Sequence, residues 1–569
     1  MKPAYFIKAA AMLATGIMAC SCSDILSNDT ESFIDIEGQG KYNANDSLYS
    51  AMGVVRQLQN LGERYVLLGE LRGDLAEVPS TADYNLQEIA SFTPSADNTY
   101  SSRRDYYAVI NNCNYALTKL DTLIVEQGNK VLLPEYISIR TMRDWTYLQL
   151  GLTYGKAAWI TDPILSLEET EKNHHVAELD EIMDNIIDDL LPYAGAKTAD
   201  YGSVDAFSSR TFFMSPTLML ADIMLYKNRY EEAAELYYRY LTDNNNGYQT
   251  LGSGFSNRWE TSQAAKVKDE NPQHNYTYLN EAITLIPYST EVKDYHPNLV
   301  NLTYNTNPSI VPAEWWMRDM KAKEHYHADN EDVTTNSILV GDTRGQMVPA
   351  ASGEKMFGDA FFPAGINGSS APAIIGKFYN NSSEQSAVSN PSNPFFENGN
   401  QRILTFVPIY RIPHLYLRYA EAANRAGKPT IAFAVIKHGL RNEVINDSIK
   451  INPEERADGA LWTNFEDSRF DSNRGTASRG RGLGVAKASQ YTIPELPSRL
   501  DSIKWVENQI LDEMAAETAF EGNRFFDLLR MSRHQENPDE WFADKVSRRF
   551  PDQAAAKSRL ADPAVRWLK

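Results

Sequence analysis

The stretch that decides the fold is Glu517-Thr-Ala-Phe-Glu-Gly-Asn-Arg-Phe-Phe-Asp-Leu-Leu-Arg530, close to the C-terminus. Its charged side chains recur at intervals of three: Glu521, Arg524, Asp527 and Arg530. Side chains three or four positions apart lie on one face of a helix, so carboxylates and guanidiniums can pair there. We therefore predict a final helix over Trp505–Arg530 whose charges form a scaffold of ion pairs and do not contact a ligand.

Two helical hairpins precede this stretch. Leu218 to Tyr240 has the pattern of a helix, a tight turn at Lys227-Asn-Arg229 and a second helix, and Leu415 to Leu440 repeats it with a turn at Gly427. The stretch from Ile139 to Asp189 can be drawn as a third, looser hairpin. Small residues at the crossing beside aromatics are typical of tetratricopeptide-like helix pairs. Ordinary hairpins of an all-α protein are the alternative, and either interpretation gives a right-handed stack of helices.

Apolar residues at helical spacing predict three further helices in the N-terminal part. The first covers Leu48 to Leu61 and ends near Gly62, and the second covers Tyr106 to Leu120. The third runs from about Tyr136 to Tyr154, where Gly155 supplies the stop. These helices extend the scaffold of the hairpins towards the N-terminus.

The middle of the chain has a different texture. Between about 242 and 410, Asn, Ser, Gly, Pro and aromatics dominate and helical periodicity is weak, apart from short runs such as Glu314 to Lys321. Long irregular regions of this kind are unusual in compact domains and usually carry function. We predict one body over 46–569, with a helical scaffold at 46–241 and 411–569 and a loop-rich recognition region at about 242–410. A further loop-rich segment covers Asn452 to Pro497.

The N-terminus has the features of an export signal. Lys2 and Lys8 are followed by an apolar segment that is too short to cross a bilayer. Small residues and a cysteine come after this segment. This pattern predicts a lipoprotein signal over 1–22 and an acylated cysteine, and a plain secretory signal is the alternative. Cys20 follows the better lipobox, whereas Cys22 has the better spacing after it, so both remain candidates. Residues 23–45, rich in Ser, Asn, Asp and Gly, are predicted to be a flexible leash.

Charge and cysteine content exclude several classes of protein. The 569-residue chain carries a net charge of −20, and loss of a leader with Lys2 and Lys8 leaves −22. Such a surface repels phosphate backbones, so nucleic-acid binding is not expected. Cys113 is the one cysteine outside the leader, so the mature chain cannot form an intramolecular disulfide.

Several motifs, taken in their order along the chain, resemble those of the SusD/RagB family of outer-membrane nutrient-binding lipoproteins. They extend over nearly the whole sequence and begin with the lipoprotein leader. They are Glu70-Leu-Arg-Gly-Asp74, Tyr107-Ala-Val-Ile-Asn-Asn-Cys-Asn114, Arg140-Thr-Met-Arg-Asp-Trp-Thr-Tyr147, Gly341-Asp-Thr-Arg344, Tyr410 to Asn424 and Ala519 to Arg530. The chain has Asn523 where many relatives have His, which weakens any transfer of a named sugar specificity.

The resemblance implies an all-α fold with tetratricopeptide-like helix pairs, lipid-anchored and surface-exposed at the outer membrane. It also implies capture of oligosaccharides for a partner TonB-dependent, SusC-like β-barrel transporter, without a cofactor and without chemistry on the cargo. Capture of peptides by the same machinery is the closest alternative. A purely structural helical adaptor is a third possibility.

Carbohydrate binding requires aromatic faces and a few fixed polar groups. Tyr100 corresponds to a position where relatives often place a stacking aromatic. Further aromatic candidates are Tyr84, Trp259, Trp315 and Trp316, and the polar candidates are Arg72, Asp74 and Asn98. At least one of Tyr100, Trp315 and Trp316 is expected to line the site.

An enzyme interpretation finds little support in the motifs. Glu324-His-Tyr-His327 and the pair His174 and His175 lack the spacing of a helical zinc protease, so no metal site is predicted. A glycoside hydrolase needs two carboxylates at a defined separation, which a sequence does not reveal. Hydrolysis of glycans is therefore the less favoured alternative.

Overall fold

The computed structural model describes residues 44–204, 207–243, 249–251, 281–288, 296–305, 307–328, 336–342, 344, 348–349, 355–356, 360–362, 372–378, 406–480 and 492–568. Helices dominate this part of the chain, as the all-α prediction requires. The helices are α1 Ala44–Glu70, α2 Tyr84–Ala90, α3 Arg104–Lys119, α4 Leu133–Tyr154, α5 Leu167–Thr170, α6 Leu179–Leu190, α7 Pro216–Tyr226, α8 Tyr230–Leu241, α9 Leu299–Thr303, α10 Glu314–Ala322, α11 Ile412–Arg425, α12 Pro429–Lys437, α13 Asn442–Ile445, α14 Arg499–Glu517, α15 Arg524–Ser532, α16 Pro538–Ser547 and α17 Gln553–Leu560.

Strands are short and, within the described ranges, form two-stranded antiparallel pairs. The strand pair Ala282–Pro287 and Phe406–Arg411 joins the loop-rich region to the scaffold, with Phe406 opposite Pro287. The strands are β1 Ala76–Glu77, β2 Val125–Glu126, β3 Asn129–Lys130, β4 Lys156–Ala158, β5 Val176–Glu178, β6 Ser203–Val204, β7 Phe207–Ser208, β8 Ala282–Pro287, β9 Val311–Pro312, β10 Glu324–Ala328, β11 Asn336–Val340, β12 Val348–Pro349, β13 Lys355–Met356, β14 Phe361–Phe362, β15 Ile374–Ile375 and β16 Phe406–Arg411.

Both predicted hairpins are confirmed as helix pairs. In the first, α7 and α8 pack together, and Asn228 turns the chain with a φ of 60°. In the second, α11 and α12 pack together around Gly427, and α11 also packs on α8 and α14. Buried Asp222 ties the two hairpins together, because it accepts hydrogen bonds from Tyr410 at 2.7 Å and Arg418 at 2.6 Å. The third, looser hairpin is α4 and α6, joined through the strand pair β4–β5.

The N-terminal helices correct one boundary. The predictions for α3 and α4 are confirmed, and Gly155 ends α4 in the left-handed region with a φ of 76°. The predicted end near Gly62 is wrong, because α1 continues to Glu70. Gly62 allows a close approach instead of stopping the helix: a Cβ there would lie 2.1 Å from the Tyr288 hydroxyl. Within the described residues, no helix has the length and apolarity needed to cross a membrane.

The single helix predicted over Trp505–Arg530 is also wrong, since the structure has α14 and α15 with a turn between them. Phe520 and Gly522 adopt positive φ values of 64° and 86° in this turn. The turn packs against α1, where a Cβ on Gly69 would lie 1.8 Å from the Gly522 carbonyl oxygen. Glu70 fixes the contact by accepting hydrogen bonds from the backbone N–H groups of Gly522 and Asn523.

The charges of the deciding stretch form ion pairs, as predicted, but mostly with distant partners. Only Arg530 and Asp527 pair along the helix, at 2.7 Å. Arg530 also pairs with Glu421 at 2.6 Å, and Arg524 pairs with Asp74 at 2.6 Å. These groups are buried, so the scaffold lies inside the molecule and connects separate segments of the chain.

Among the residues that the structure describes, five carboxylates and five cations meet in a second buried network beside α14. Glu517 lies near its middle, 2.8 Å from Arg411, 3.1 Å from Arg344 and 3.2 Å from Arg479. The matched charges anchor segments of the loop-rich region to the scaffold, where an unpaired charge would be very costly. The members are Glu281, Asp342, Glu513, Glu517 and Glu521 with Lys323, Arg344, Lys377, Arg411 and Arg479.

The network predicts a specific response to acid. Burial alone would raise the pKa of Glu513, but Arg344 and Lys323 outweigh burial and lower the pKa from 4.5 to about 2. This carboxylate therefore stabilises the fold above pH 4.5, and its contribution is lost as the pH falls towards 2. We expect Glu513→Gln to reduce the free energy of unfolding at pH 7 and the difference from wild type to shrink below pH 4.5.

Urea unfolding of both proteins at pH 7, 5, 4 and 3 measures this difference. Glu232→Gln is the matched control, since Glu232 pairs with Arg229 at an exposed site and contributes little. A difference between wild type and Glu513→Gln that stays constant from pH 7 to pH 3 would contradict the prediction.

Candidate functional site

Two tyrosines are presented on a surface loop system built around Asn98. Asn98 is buried, and its side chain donates to the carbonyl of Asn85 at 3.0 Å and to the carboxylate of Glu88 at 2.8 Å. Its Oδ1 accepts from the backbone N–H of Tyr100 at 3.0 Å, which caps a single 3-10 turn over Thr99–Ser101. Asn98 therefore fixes Tyr100 against α2, whose first residue is Tyr84.

Together with Asn98, the Glu88 carboxylate holds this loop system in place. It accepts hydrogen bonds from the backbone N–H and the hydroxyl of Ser95 at 3.1 and 2.7 Å, as well as from Asn98. The hydrogen bonds from Asn98 and Ser95 lower the pKa of Glu88. An ionised carboxylate at this position holds the two sides of the loop in one geometry, which is what a preformed binding surface requires.

Tyr84 and Tyr100 differ in exposure. Tyr84 is 70% exposed, so its ring is accessible to a ligand. Tyr100 is half-buried, and burial, together with the charges of Glu63 and Asp83, raises its pKa to about 12. Tyr100 therefore keeps its hydroxyl proton at neutral pH and can donate a hydrogen bond.

Polar groups from α1 and from the start of α9 surround Tyr100. Glu63 accepts from the backbone N–H of Asn298, and burial raises the pKa of Glu63. Arg64 donates to the carbonyl of Ser102 at 2.8 Å and to the carboxylate of Asp105 at 2.8 Å. We call the surface formed by Tyr84, Asn85, Tyr100, Glu63 and Asp83 the tyrosine face; the predicted ligand-binding residue Asn98 is buried and supports this face from inside. The tyrosine face combines aromatic rings with fixed donors and acceptors.

Two predicted polar residues lie in the interior and not on the tyrosine face. Arg72 is fully buried, donates to the carbonyl of Leu68 at 2.9 Å and stacks 3.8 Å from the centre of the Phe525 ring. Asp74 is fully buried and holds Arg524 at 2.6 and 3.0 Å. Their contacts are those of scaffold residues, and neither presents a polar atom for a ligand hydroxyl at the surface.

The two adjacent tryptophans of α10 also have different environments. Trp316 is 1% exposed and packs edge-on against Phe361 and Phe520, so its ring presents no face to a ligand. Trp315 is partly buried, donates from Nε1 to the carbonyl of Asp74 at 2.7 Å and lies 5.5 Å from the guanidinium of Arg548. Trp315 is not fully buried and stays a predicted ligand-binding residue.

Some sequence predictions fall outside the described residues. These are Trp259 and the alternative lipidation sites Cys20 and Cys22. The side chains of Glu324 to His327 also lie outside them, whereas His175 pairs with Glu181 at 2.6 Å and His174 bonds to the carbonyl of Glu169. Nowhere in the described part do three or more His, Cys, Asp or Glu side chains group as they would around a metal ion.

Sequence reasoning placed Tyr84, Asn98 and Tyr100 among the candidates, and the structure brings these three together. It missed Glu63, Asp83 and Asn85. Asp83 has a local signal, because it precedes a helix and accepts from the backbone N–H of Asn85 at 2.9 Å as an N-cap. Glu63 has no local sequence signal of this kind, because it lies on α1, far from the loop in sequence.

The family model described as SusD family matches residues 227–552 of this chain. The chain belongs to the SusD family. This match covers the second hairpin, the buried network and the deciding stretch, which are the features that hold the SusD scaffold together here. No curated protein sequence matches the chain.

Solved structures of the SusD superfamily have the same fold. A protein from Bacteroides vulgatus superposes with a TM-score of 0.58 at 13% identity, covering 92% of this chain and 95% of that one. One from Parabacteroides distasonis gives a TM-score of 0.51 at 18% identity, covering 86% and 89%. A SusD-like carbohydrate-binding protein from Bacteroides fragilis gives 0.52 at 13% identity, covering 88% and 87%.

Proposed function

We propose that this SusD-family protein is a lipid-anchored protein of the outer cell surface that binds oligosaccharides and passes them to a TonB-dependent, SusC-like transporter. The observation that carries the proposal is the tyrosine face, on which an exposed ring stands beside a half-buried one. Sugar rings have apolar faces that stack on aromatic rings, and their hydroxyls need fixed polar partners. The tyrosine face offers both kinds of group.

The other parts of the proposal have separate support. The leader of the sequence, with Cys20 and Cys22 as alternative acylation sites, supports a lipid anchor. A structural neighbour of similar length is described as a carbohydrate-binding protein, which supports a sugar as the cargo. Membership of the SusD family supports the transporter as partner. The predicted domain boundaries, with a leash over 23–45 and a recognition region at about 242–410, form part of the same proposal.

Binding without catalysis is the expectation for the tyrosine face. A glycosidase needs one protonated carboxylic acid and a second carboxylate facing it across the substrate. Burial raises the pKa of Glu63, as expected of a candidate acid, but its carboxylate is half-buried and accepts a hydrogen bond from the backbone N–H of Asn298. We therefore assign Glu63 to holding α9 and to orienting Tyr100.

Substitution of Tyr84 tests the face directly. We expect Tyr84→Ala to weaken oligosaccharide binding by about tenfold or more, because a stacked aromatic ring contributes about 1.5 kcal/mol or more when buried by a ligand. Tyr84→Phe keeps the ring and is expected to bind within about threefold of wild type. Isothermal titration calorimetry with a panel of neutral oligosaccharides measures both.

Tyr193→Ala is the control for a tyrosine of the helical scaffold, since Tyr193 packs edge-on against Tyr136 away from this loop system. Equal binding by wild type and Tyr84→Ala would remove the tyrosine face from the proposal. If the panel gives no heat and oligopeptides do, peptides replace oligosaccharides as the cargo.

A further inference from the structure

A separate cavity lies along α3, and none of its lining residues belongs to the tyrosine face. Its volume is about 420 Å³, within the range of about 300–1,000 Å³ typical of small-molecule sites. It lies between α3, β4, the segment after β4, and α5 with the chain leading into β5. The lining residues are Arg103, Tyr107, Ile110, Asn111, Asn114, Lys156, Ala157, Ala158, Ile160, Ile164, Thr170, His174 and Val176.

The walls of this cavity are held rigidly by α3. Tyr107 bonds to the backbone of Ala158, with its hydroxyl accepting from the N–H at 2.7 Å and donating to the carbonyl at 3.3 Å. Asn111 bonds in the same two-way manner to the backbone of Ile164, at 2.7 and 3.0 Å. Asn114 donates to the carbonyl of Ile160 at 2.9 Å. The side chains at i, i+4 and i+7 of α3 thus fasten the 158–164 segment to the helix.

Because the polar side chains of α3 are used in hydrogen bonds to the backbone, the charged side chains of the lining are the groups that can recognise a polar ligand. The neutral polar groups of α3 are already bonded to the backbone, and Ile110, Ile160 and Ile164 give apolar walls. Arg103 and Lys156 are the formally charged lining residues, both exposed, and no carboxylate lines the cavity. The lining of this cavity is therefore positively charged, although the chain as a whole has a net charge of −20.

Neither cation is taken up by an ion pair in the described part of the chain. The guanidinium of Arg103 lies 4.4 Å from the centre of the Tyr154 ring. Lys156 stands opposite Glu178 in the β4–β5 register, so Glu178 lies on the adjoining strand outside the lining. Glu178 reduces the positive potential at the rim, and its removal is expected to strengthen anion binding.

We propose that this cavity is a second binding site and takes a small carboxylate-bearing molecule with an apolar face. The carboxylate pairs with Arg103 and Lys156, and the apolar face packs against the isoleucine walls. An acidic sugar and the C-terminus of a peptide both carry this chemistry. The site is independent of the tyrosine face, and it holds whether or not neutral oligosaccharides bind there.

Calorimetric titration of the purified protein with sodium glucuronate, glucose and N-acetylphenylalanine tests the proposal. We expect at least one of the two carboxylates to bind and glucose to bind at least tenfold more weakly. The double variant Arg103→Gln/Lys156→Gln is expected to lose about tenfold in affinity, because both charge pairs with the ligand carboxylate are removed. Raising the salt from 50 to 500 mM should weaken binding too, since it screens exposed charges.

Two further variants locate the site. Glu178→Gln is expected to tighten binding, and Lys130→Gln, an exposed lysine of β3, should have no effect. Binding of glucuronate alone assigns the cavity to acidic sugars, and binding of N-acetylphenylalanine alone assigns it to peptide termini. The proposal is overturned if neither carboxylate binds, if glucose binds as well as glucuronate, if the double variant binds like wild type, or if Tyr84→Ala weakens carboxylate binding.

Discussion

Arg411→Met is expected to lower the free energy of unfolding by about 3–5 kcal/mol, or to prevent folding altogether, because it removes one buried cation from a network of buried carboxylates and leaves the negative charge there uncompensated. The Arg411 guanidinium is 1% exposed and contacts three glutamates: Glu281 at 2.9 Å, Glu517 at 2.8 Å and Glu521 at 2.7 Å. Lys323, Arg344, Lys377 and Arg479 remain, so four cations of the described network would face its five carboxylates. Methionine fills much of the volume, so lost charge and not lost packing is what the variant measures.

Urea unfolding followed by circular dichroism gives the free energy, and soluble yield reports a complete failure to fold. Lys504→Met is the matched control, because Lys504 pairs with Glu536 at 3.2 Å on the surface and should contribute less than about 1 kcal/mol. A loss at Arg411 no larger than the loss at Lys504 would show that the network does not hold the fold.

Gly69→Ala is expected to cost at least about 3 kcal/mol, the upper end of the range for overpacking. The added Cβ would lie 1.8 Å from the carbonyl oxygen and 2.8 Å from the Cα of Gly522. These are backbone atoms of the turn before α15, so no change of side-chain rotamer relieves the overlap. The turn would have to leave α1, which breaks the hydrogen bonds from Gly522 and Asn523 to Glu70.

Gly53→Ala provides a control within the same helix. A Cβ at Gly53 meets no atom within 4 Å, and alanine is the better helix former by about 1 kcal/mol. Thermal unfolding should therefore show a higher melting temperature for Gly53→Ala and a much lower one for Gly69→Ala. Melting temperatures that change in the same direction for both variants would contradict the close approach of α1 to the turn.

Sequence periodicity predicted the elements whose contacts are local. The hairpins around Asn228 and Gly427 were predicted because small residues, aromatics and turn residues lie within a few positions of each other. The break between α14 and α15 was missed, because it depends on the positive φ of Phe520 and on the packing of Gly522 against α1. A long-range backbone contact leaves no periodic signal in the sequence.

The same distinction explains the outcome for the candidate site. Tyr84, Asn98 and Tyr100 are close in sequence, and the structure places them together. Arg72 and Asp74 were chosen as polar residues of a loop, yet each is buried by partners hundreds of positions away, such as Arg566 and Arg524. Burial of a charged side chain depends on a distant partner of opposite charge or a free carbonyl, which local composition does not reveal.

Titration of the purified protein with neutral oligosaccharides, with chromatography of the mixture after prolonged incubation, is the most direct test of capture without chemistry. We predict saturable heat for at least one oligosaccharide, loss of that heat in Tyr84→Ala but not in Tyr84→Phe, and recovery of the oligosaccharide at its original length. If no saccharide binds, or if shortened products appear and carboxylate substitution abolishes them, the claim of capture without chemistry is contradicted.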